Sequence, residues 1–369
     1  YYASRGLGDV YKRQVLTGIV TVILTLLSMI SMAKVLHLMN TPSDMYGEAY
    51  GYIMVICGGI VAQALYNYLA SVLRALGDSK RPLYFLVIAA LLNIVLDLVF
   101  IIVFRMGAAG AAYATVIAQG ISAVCCLIYI VKRFPILHLE RKDFEICWDS
   151  FGRLLKLGIP MGLQFSITAI GTIIVQSAVN IYGPVHMAGF SAAGKIQNIF
   201  ATVFTAFGAT IATYVGQNRG AGKMDRVKQG VRYTQMMVLG WSVFVMFLMF
   251  FFGKYLTYLF VDPSEQDVVN VSVTYFRTVF WAYPFLGSIF LYRNTLQGMG
   301  YGLVPMLGGV FELVARTGIV VLIAGHTSFA GVCMADPTAW IAALIPLIPY
   351  YFHVMKKYKN KSQVQAVED

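Results

Sequence analysis

Residues 91–104, "LLNIVLDLVFIIVF", set two polar groups into an apolar run: twelve of the fourteen side chains are hydrocarbon or aromatic, and the other two are Asn93 and Asp97. The composition around this stretch decides its environment. Of 369 residues, 59% are hydrophobic and only 12% charged, with a mean hydropathy of +0.71, far from the balance of a soluble domain. A helix rising 1.5 Å per residue crosses roughly 30 Å of hydrocarbon in about 20 residues. Ten runs of that kind occur, at 15–38, 48–73, 82–104, 108–131, 154–181, 187–216, 230–252, 271–297, 303–324 and 329–352. They are long and show no alternation, which suits helices and not barrel strands, because backbone groups in lipid need partners within their own segment. The expected fold is all-α, a polytopic membrane helix bundle.

A formal net charge of +11 suggests nucleic acid in a soluble protein; here the placement of the basic residues explains it. Arg74, Lys80 and Arg81, then Lys132 to Lys156, then Arg219 to Arg232, then Lys356 to Lys361 fall in alternate loops. The loops between them hold few basic residues, Lys34, Arg105 and Lys254, beside the acids Asp44, Glu48, Asp262, Glu265 and Asp267. By the positive-inside rule the basic loops and the C-terminus are cytoplasmic, in a plasma membrane, and no nucleic-acid partner is called for. Cys57, Cys125, Cys126, Cys147 and Cys333 lack metal-binding spacing and read as small apolar residues.

The two halves match in order at separations of 221 to 223 residues. Pro42-Ser43-Asp44 answers Pro263-Ser264-Glu265; Leu73, Gly77 and Pro82 answer Leu296, Gly300 and Pro305; Ala109, Gly110 and Ala114 answer Ala330, Gly331 and Ala335. An even number of spans separates the copies, so they are parallel six-helix repeats. The first copy shows four of its six spans, and the repeat predicts two more upstream, about 75 to 80 residues. The expected organisation is a doubtful loop or junction over 1–14, an N-terminal bundle over 15–135, a cytoplasmic linker over 136–153, a C-terminal bundle over 154–353 and a basic tail over 354–369.

Taken together, LRALGDSKRP leading into NIVLDLVFI, GAAGAAYAT opening the next span, and VGQNRGAGK after a later one resemble the multidrug and toxin extrusion (MATE) transporters. The resemblance covers nearly the whole chain from about residue 15. It implies an exporter of drug-like organic cations or amphipathic toxins, driven by antiport with Na+ or H+. Related families of the same superfamily move lipid-linked sugars, so a polyisoprenoid flippase is the alternative.

An Asp at mid-span costs about 2.5 to 3.5 kcal/mol to insert, so it calls for a buried partner or a job. Asn93 is one turn earlier on the same face, and Asp97 and Thr115 lie at matching depths in successive spans, about 10 Å below the boundary. These oxygens suit a small alkali cation such as Na+, and a desolvated carboxylate could instead carry a proton. In the MATE resemblance, Asn93, Asp97 and Thr115 correspond to a cation or proton site completed by an Asp of the first helix, which this sequence does not include. The plainer reading is a helix-to-helix hydrogen bond among the three, worth about 1 kcal/mol. In the second repeat their equivalents are Arg316, Val320 and Asp336, which cannot form the same site.

Other intramembrane polar residues carry weaker expectations. Some members of the family have a carboxylate eight residues after the proline of the seventh helix; counted from Pro160, that position is Thr168. Glu312 and Arg316 are spaced as an i,i+4 structural ion pair. Gln164, Gln176, Lys195, Asn198 and Tyr283 are candidates to line a substrate chamber, or else to bridge helices. GQNRGAGK lacks the spacing of a phosphate loop, and neither H-E-x-x-H nor G-x-S-x-G occurs, so no nucleotide, cofactor or enzymatic chemistry is expected. The remaining expectation is of a monomer in a lipid bilayer whose partner is a small organic molecule.

Overall fold

The helix-ending glycines of the repeat adopt the conformation that only glycine takes without strain. Gly77 has φ 91° and Gly300 φ 80°. In both turns the following amide donates back to the leucine five residues earlier, Asp78 N to Leu73 O and Tyr301 N to Leu296 O, each at 2.9 Å. This is the Schellman stop, which satisfies carbonyls the helix end leaves free. Leu73 and Leu296 are both fully buried beneath it. The repeat seen in the sequence is thus a repeat of local structure.

The computed structural model describes residues 2–38, 43–134, 148–323 and 329–368. Its helices are α1 (Tyr2–Leu38), α2 (Ser43–Ala75), α3 (Lys80–Leu98), α4 (Gly107–Arg133), α5 (Trp148–Asn180), α6 (Pro184–Gly220), α7 (Met224–Thr257), α8 (Gln266–Val279), α9 (Tyr283–Gly298), α10 (Leu303–Ile323), α11 (Phe329–Cys333) and α12 (Ala335–Glu368). Nine segments among the described residues are long and apolar enough to cross a membrane. The remaining expected span, 271–297, is broken into α8 and α9 by a 3₁₀ turn at Phe280–Ala282. Pro284 explains the break: it has no N–H for the Phe280 carbonyl, and its ring crowds that carbonyl. The span expected over 329–352 is likewise interrupted, at Met334, where Pro337 sits in the first turn of α12.

At three of the expected boundaries the structure adds helix. Residues 2–14 are helical and continue into the apolar part of α1, not a loop. No proline stops upstream propagation there, and Gly6 and Gly8 together cost only about 2 kcal/mol of helix propensity. The linker expected over 136–153 gives up 148–153 to α5, and 136–147 lie outside the described residues. The basic tail from 354 continues α12 to Glu368.

The chain forms two compact units, 1–154 and 155–369. In the first, α2 packs against α1 and α4, and α3 against α4. Its core is the α2–α4 seam of Tyr66, Leu69, Ala70, Leu73, Ala123, Cys126 and Ile130. Close approach is set at Gly59, where an added Cβ would lie 2.2 Å from Val116 Cγ2. Leu91, Ile94, Val95 and Leu98 of α3 are exposed, the surface expected of a helix whose solvent on that side is lipid. In the second unit α6 packs against α7, α8 and α9, and α10 against α12. Phe204, Tyr275, Phe276, Tyr283 and Trp340 are the large, fully buried side chains of its core.

Candidate functional site

Asn93 and Asp97 lie one turn apart on the half-buried face of α3. Asn93 Nδ2 and Asp97 Oδ1 are both buried and have no hydrogen-bond partner among the described residues, so the two residues do not satisfy each other. Thr115, on α4, donates its hydroxyl to its own helix at Ala111 O, 3.0 Å away. The plainer expectation, a three-residue hydrogen bond between helices, is therefore not what the structure forms. A threonine whose proton is committed in this way still presents oxygen lone pairs. An unpartnered carboxylate oxygen in a bundle costs several kcal/mol unless something positive arrives to meet it.

Directly after Asp97 the helix widens into a π turn, Val99–Val103, closed by Phe104 N to Val99 O at 3.0 Å. Beyond it Arg105 takes φ 53°, the one non-glycine residue with positive φ among those described. Single π turns inside α-helices recur at functional sites. Nothing in the apolar sequence 98–104 signals this one, because one extra residue leaves hydrophobicity unchanged.

The second unit holds a different constellation. Glu312 Oε1 pairs with Arg316 Nη2 at 3.1 Å, as the i,i+4 spacing predicts. The pair is part of a larger set: Glu312 Oε2 meets Arg293 Nη2 at 3.3 Å, and Arg316 Nη2 meets Asp336 Oδ1 at 3.2 Å. Asp336 Oδ2 accepts from the Tyr275 hydroxyl at 2.7 Å, and that hydroxyl also contacts Gln197. Gln164 is buried, and with its oxygen facing the guanidinium it accepts from Arg293 Nε (3.2 Å) and Nη1 (3.3 Å) while its nitrogen faces Gln297. Helices α5, α6, α8, α9, α10 and α12 thereby share one polar chain. Arg293 and Asp336 escaped sequence reasoning as members because their partners are distant in the chain; the one signal was the repeat alignment, which set Asp336 opposite Thr115.

The candidate chamber residues do not come together as a set. Tyr283 is fully buried between Phe204 and Trp340, with ring centroids at 6.4 and 5.8 Å, and its hydroxyl has no partner. Its burial makes it part of the core of the second unit. Gln164 belongs to the polar chain. Gln176 donates to Asn180 on its own helix at 3.1 Å. Lys195 and Asn198 are exposed on one face of α6, and the Lys195 ammonium lies 5.7 Å from the Phe260 ring centroid, a cation–π distance. Thr168 Oγ1 is buried and without a partner. Cys57, Cys125, Cys126 and Cys333 are free thiols.

The comparisons with known proteins agree with this architecture. The MatE family profile matches residues 5–99 and 160–343. Over 269 residues the chain is 36% identical to the Probable multidrug resistance protein YpnP of Bacillus subtilis, covering 72% of this chain and 59% of that protein. The Probable multidrug resistance protein YoeA of the same organism is 25% identical over 361 residues, 95% of this chain and 77% of YoeA. Among solved structures, a MOP superfamily transporter from Pyrococcus furiosus superposes with a TM-score of 0.88 at 20% identity, over 95% of this chain and 79% of that one. With matching helices, a duplicated architecture and a profile covering both halves, the chain belongs to the MatE family of multi-pass membrane transporters.

Proposed function

We propose that the protein exports small organic molecules, drug-like cations or amphipathic toxins, by antiport with Na+ or H+, and that Asn93, Asp97 and Thr115 take the coupling ion. The observation that carries this reading is Asp97 Oδ1, a buried carboxylate oxygen in an apolar helix with no hydrogen-bond partner among the described residues. The relatives named for multidrug resistance support the substrate class. A cation or proton at Asp97 relieves the desolvation cost of the carboxylate, and Thr115 Oγ1 and the Asn93 side chain stand on the two helices that can complete its shell. Loading and release of that charge give the two states of the transporter different energies, which is what coupling requires. The basic turns support, by the positive-inside rule, a cytoplasmic C-terminus in a plasma membrane.

Dye accumulation in everted membrane vesicles, where export runs into the lumen, tests the proposal with Na+ and pH gradients imposed separately. Export should follow one of the two gradients in the wild type and lose that dependence in Asp97→Asn. Undiminished gradient-driven export by Asp97→Asn rejects the site, and lipid-linked sugar flipping without export rejects the drug-exporter reading.

A further inference from the structure

The internal repeat sets Arg316 opposite Asn93 and Asp336 opposite Thr115. In the second unit these equivalents touch, at 3.2 Å. Glu312 Oε1 reaches the same nitrogen, Arg316 Nη2, at 3.1 Å, so two carboxylates on different helices converge on one positively charged atom. All three side chains are nearly sealed from solvent, at 5%, 6% and 11% exposure.

The way Arg316 is used is informative. A guanidinium recruited for hydrogen bonding presents its planar fork to an acceptor. Arg293 does this toward Gln164, whose amide, with its oxygen turned to the guanidinium, accepts from Nε and Nη1. Arg316 does not: among the described residues its buried Nε and Nη1 have no hydrogen-bond partner, and only Nη2 is engaged. It acts as a point charge between two oxygen ligands. The side chain fits because α5 carries Gly171, where an added Cβ would stand 3.3 Å from Nη1. Counting the four charged groups, Arg293 and Arg316 against Glu312 and Asp336, the cluster has no net charge, whereas Asp97 in the first unit has no such partner among the described residues.

We propose that Arg316 is a tethered cation filling, in the second repeat, the pseudo-equivalent of the coupling site, and that it excludes Na+ from a carboxylate pair, Glu312 and Asp336, which otherwise binds it. The assignment of the coupling ion to the first unit rests on the reading of Asp97 above; the latent Na+ site does not. Arg316 is thereby a specificity-determining residue: ion traffic is confined to one half of a duplicated protein because the other half carries its own positive charge.

The test uses the detergent-purified protein, with NaCl exchanged for N-methylglucamine chloride at equal ionic strength, reading unfolding temperature and bound radioactive sodium. In an Asp97→Asn background, Arg316→Met should gain saturable Na+ binding, about tenfold above the parent, and a Na+-dependent rise in unfolding temperature. Adding Asp336→Asn should remove both. Arg316→Lys, which keeps the charge, should gain neither. If Arg316→Met is too unstable to isolate in N-methylglucamine, the proposal expects folded protein to be recovered in Na+. Failure in both salts overturns it, as does a folded Arg316→Met with no Na+ binding or with a response to pH alone. Persistence of wild-type coupling in Asp97→Asn would instead strike the proposed function and leave this inference standing.

Discussion

Replacing Glu312 with Gln should be among the most damaging single changes in the second unit. The carboxylate serves two arginines at once, Arg316 at 3.1 Å through Oε1 and Arg293 at 3.3 Å through Oε2. Gln keeps the shape and one acceptor oxygen, but its amide nitrogen must then face a guanidinium nitrogen, donor against donor. The cluster changes from neutral to a net charge of one, with Asp336 left as the single carboxylate for two guanidinium groups. Breaking a buried ion pair by removing one partner costs about 3 to 5 kcal/mol, because the remaining charge stays in the low-dielectric interior. For a unit of about 200 residues, 1 kcal/mol moves the midpoint by roughly 2 to 4 °C, so the unfolding temperature should fall by about 10 °C. Fluorescence-monitored thermal unfolding in detergent measures this. In a double-mutant cycle with Arg316→Met, the coupling should be about 2 kcal/mol or more. A Glu312→Gln protein within 2 °C of wild type, in the absence of compensating anion binding, refutes the argument that this chain is an interlocked set of buried charges.

Three further outcomes follow from other parts of the molecule. Gly59→Ala should separate α2 from α4, costing about 1 to 3 kcal/mol as overpacking against the stiff Val116, and Val116→Ala in the same chain should restore most of it; thermal unfolding of the two variants decides. Gly300→Ala, at φ 80° in the turn between α9 and α10, should cost about 1 kcal/mol or more, whereas a helical glycine with open space around it, Gly240, should tolerate alanine. Asp262 lies outside the spanning helices, and hydrogen bonds from the Ser264 hydroxyl and amide hold its carboxyl below its ordinary value of 3.8. Its folded value is depressed, so its contribution is present above pH 3.8 and lost as the pH falls through the lower, folded value. Asp262→Asn should therefore remove a small stabilisation at neutral pH and converge with wild type in strong acid, by unfolding temperature against pH.

Much of the helical scaffold is legible from the apolar runs because membrane length and helix rise leave little freedom, and the turns at Gly77 and Gly300 are legible because few residues besides glycine make them. The break at 280–282 is harder to see: Pro284 stands in a run whose hydrophobicity does not change, and proline in a membrane helix bends it in some settings and splits it in others. Helix over 2–14 depends on propagation from α1, not on any local apolar signal. At the candidate sites, Asn93 and Asp97 stand out in sequence as polar groups in oil, and Glu312 with Arg316 by spacing. Whether a polar group in oil is paired is a tertiary fact, and it separates the two units: among the described residues the first leaves Asp97 Oδ1 without a partner, and the second pairs Glu312 and Asp336 with Arg316.

The π turn after Asp97 also sets where the helix is easiest to open. Its carbonyls and amides bond across five residues instead of four, on the exposed face where Ile102, Val103 and Phe104 have little packing to hold them. Solvent-isotope exchange along α3 should therefore proceed inward from this widened turn, with Leu98 and Asp97 the first of the well-ordered amides to lose protection. A helix whose weakest point adjoins its one carboxylate can loosen there while the segment toward Lys80 stays closed.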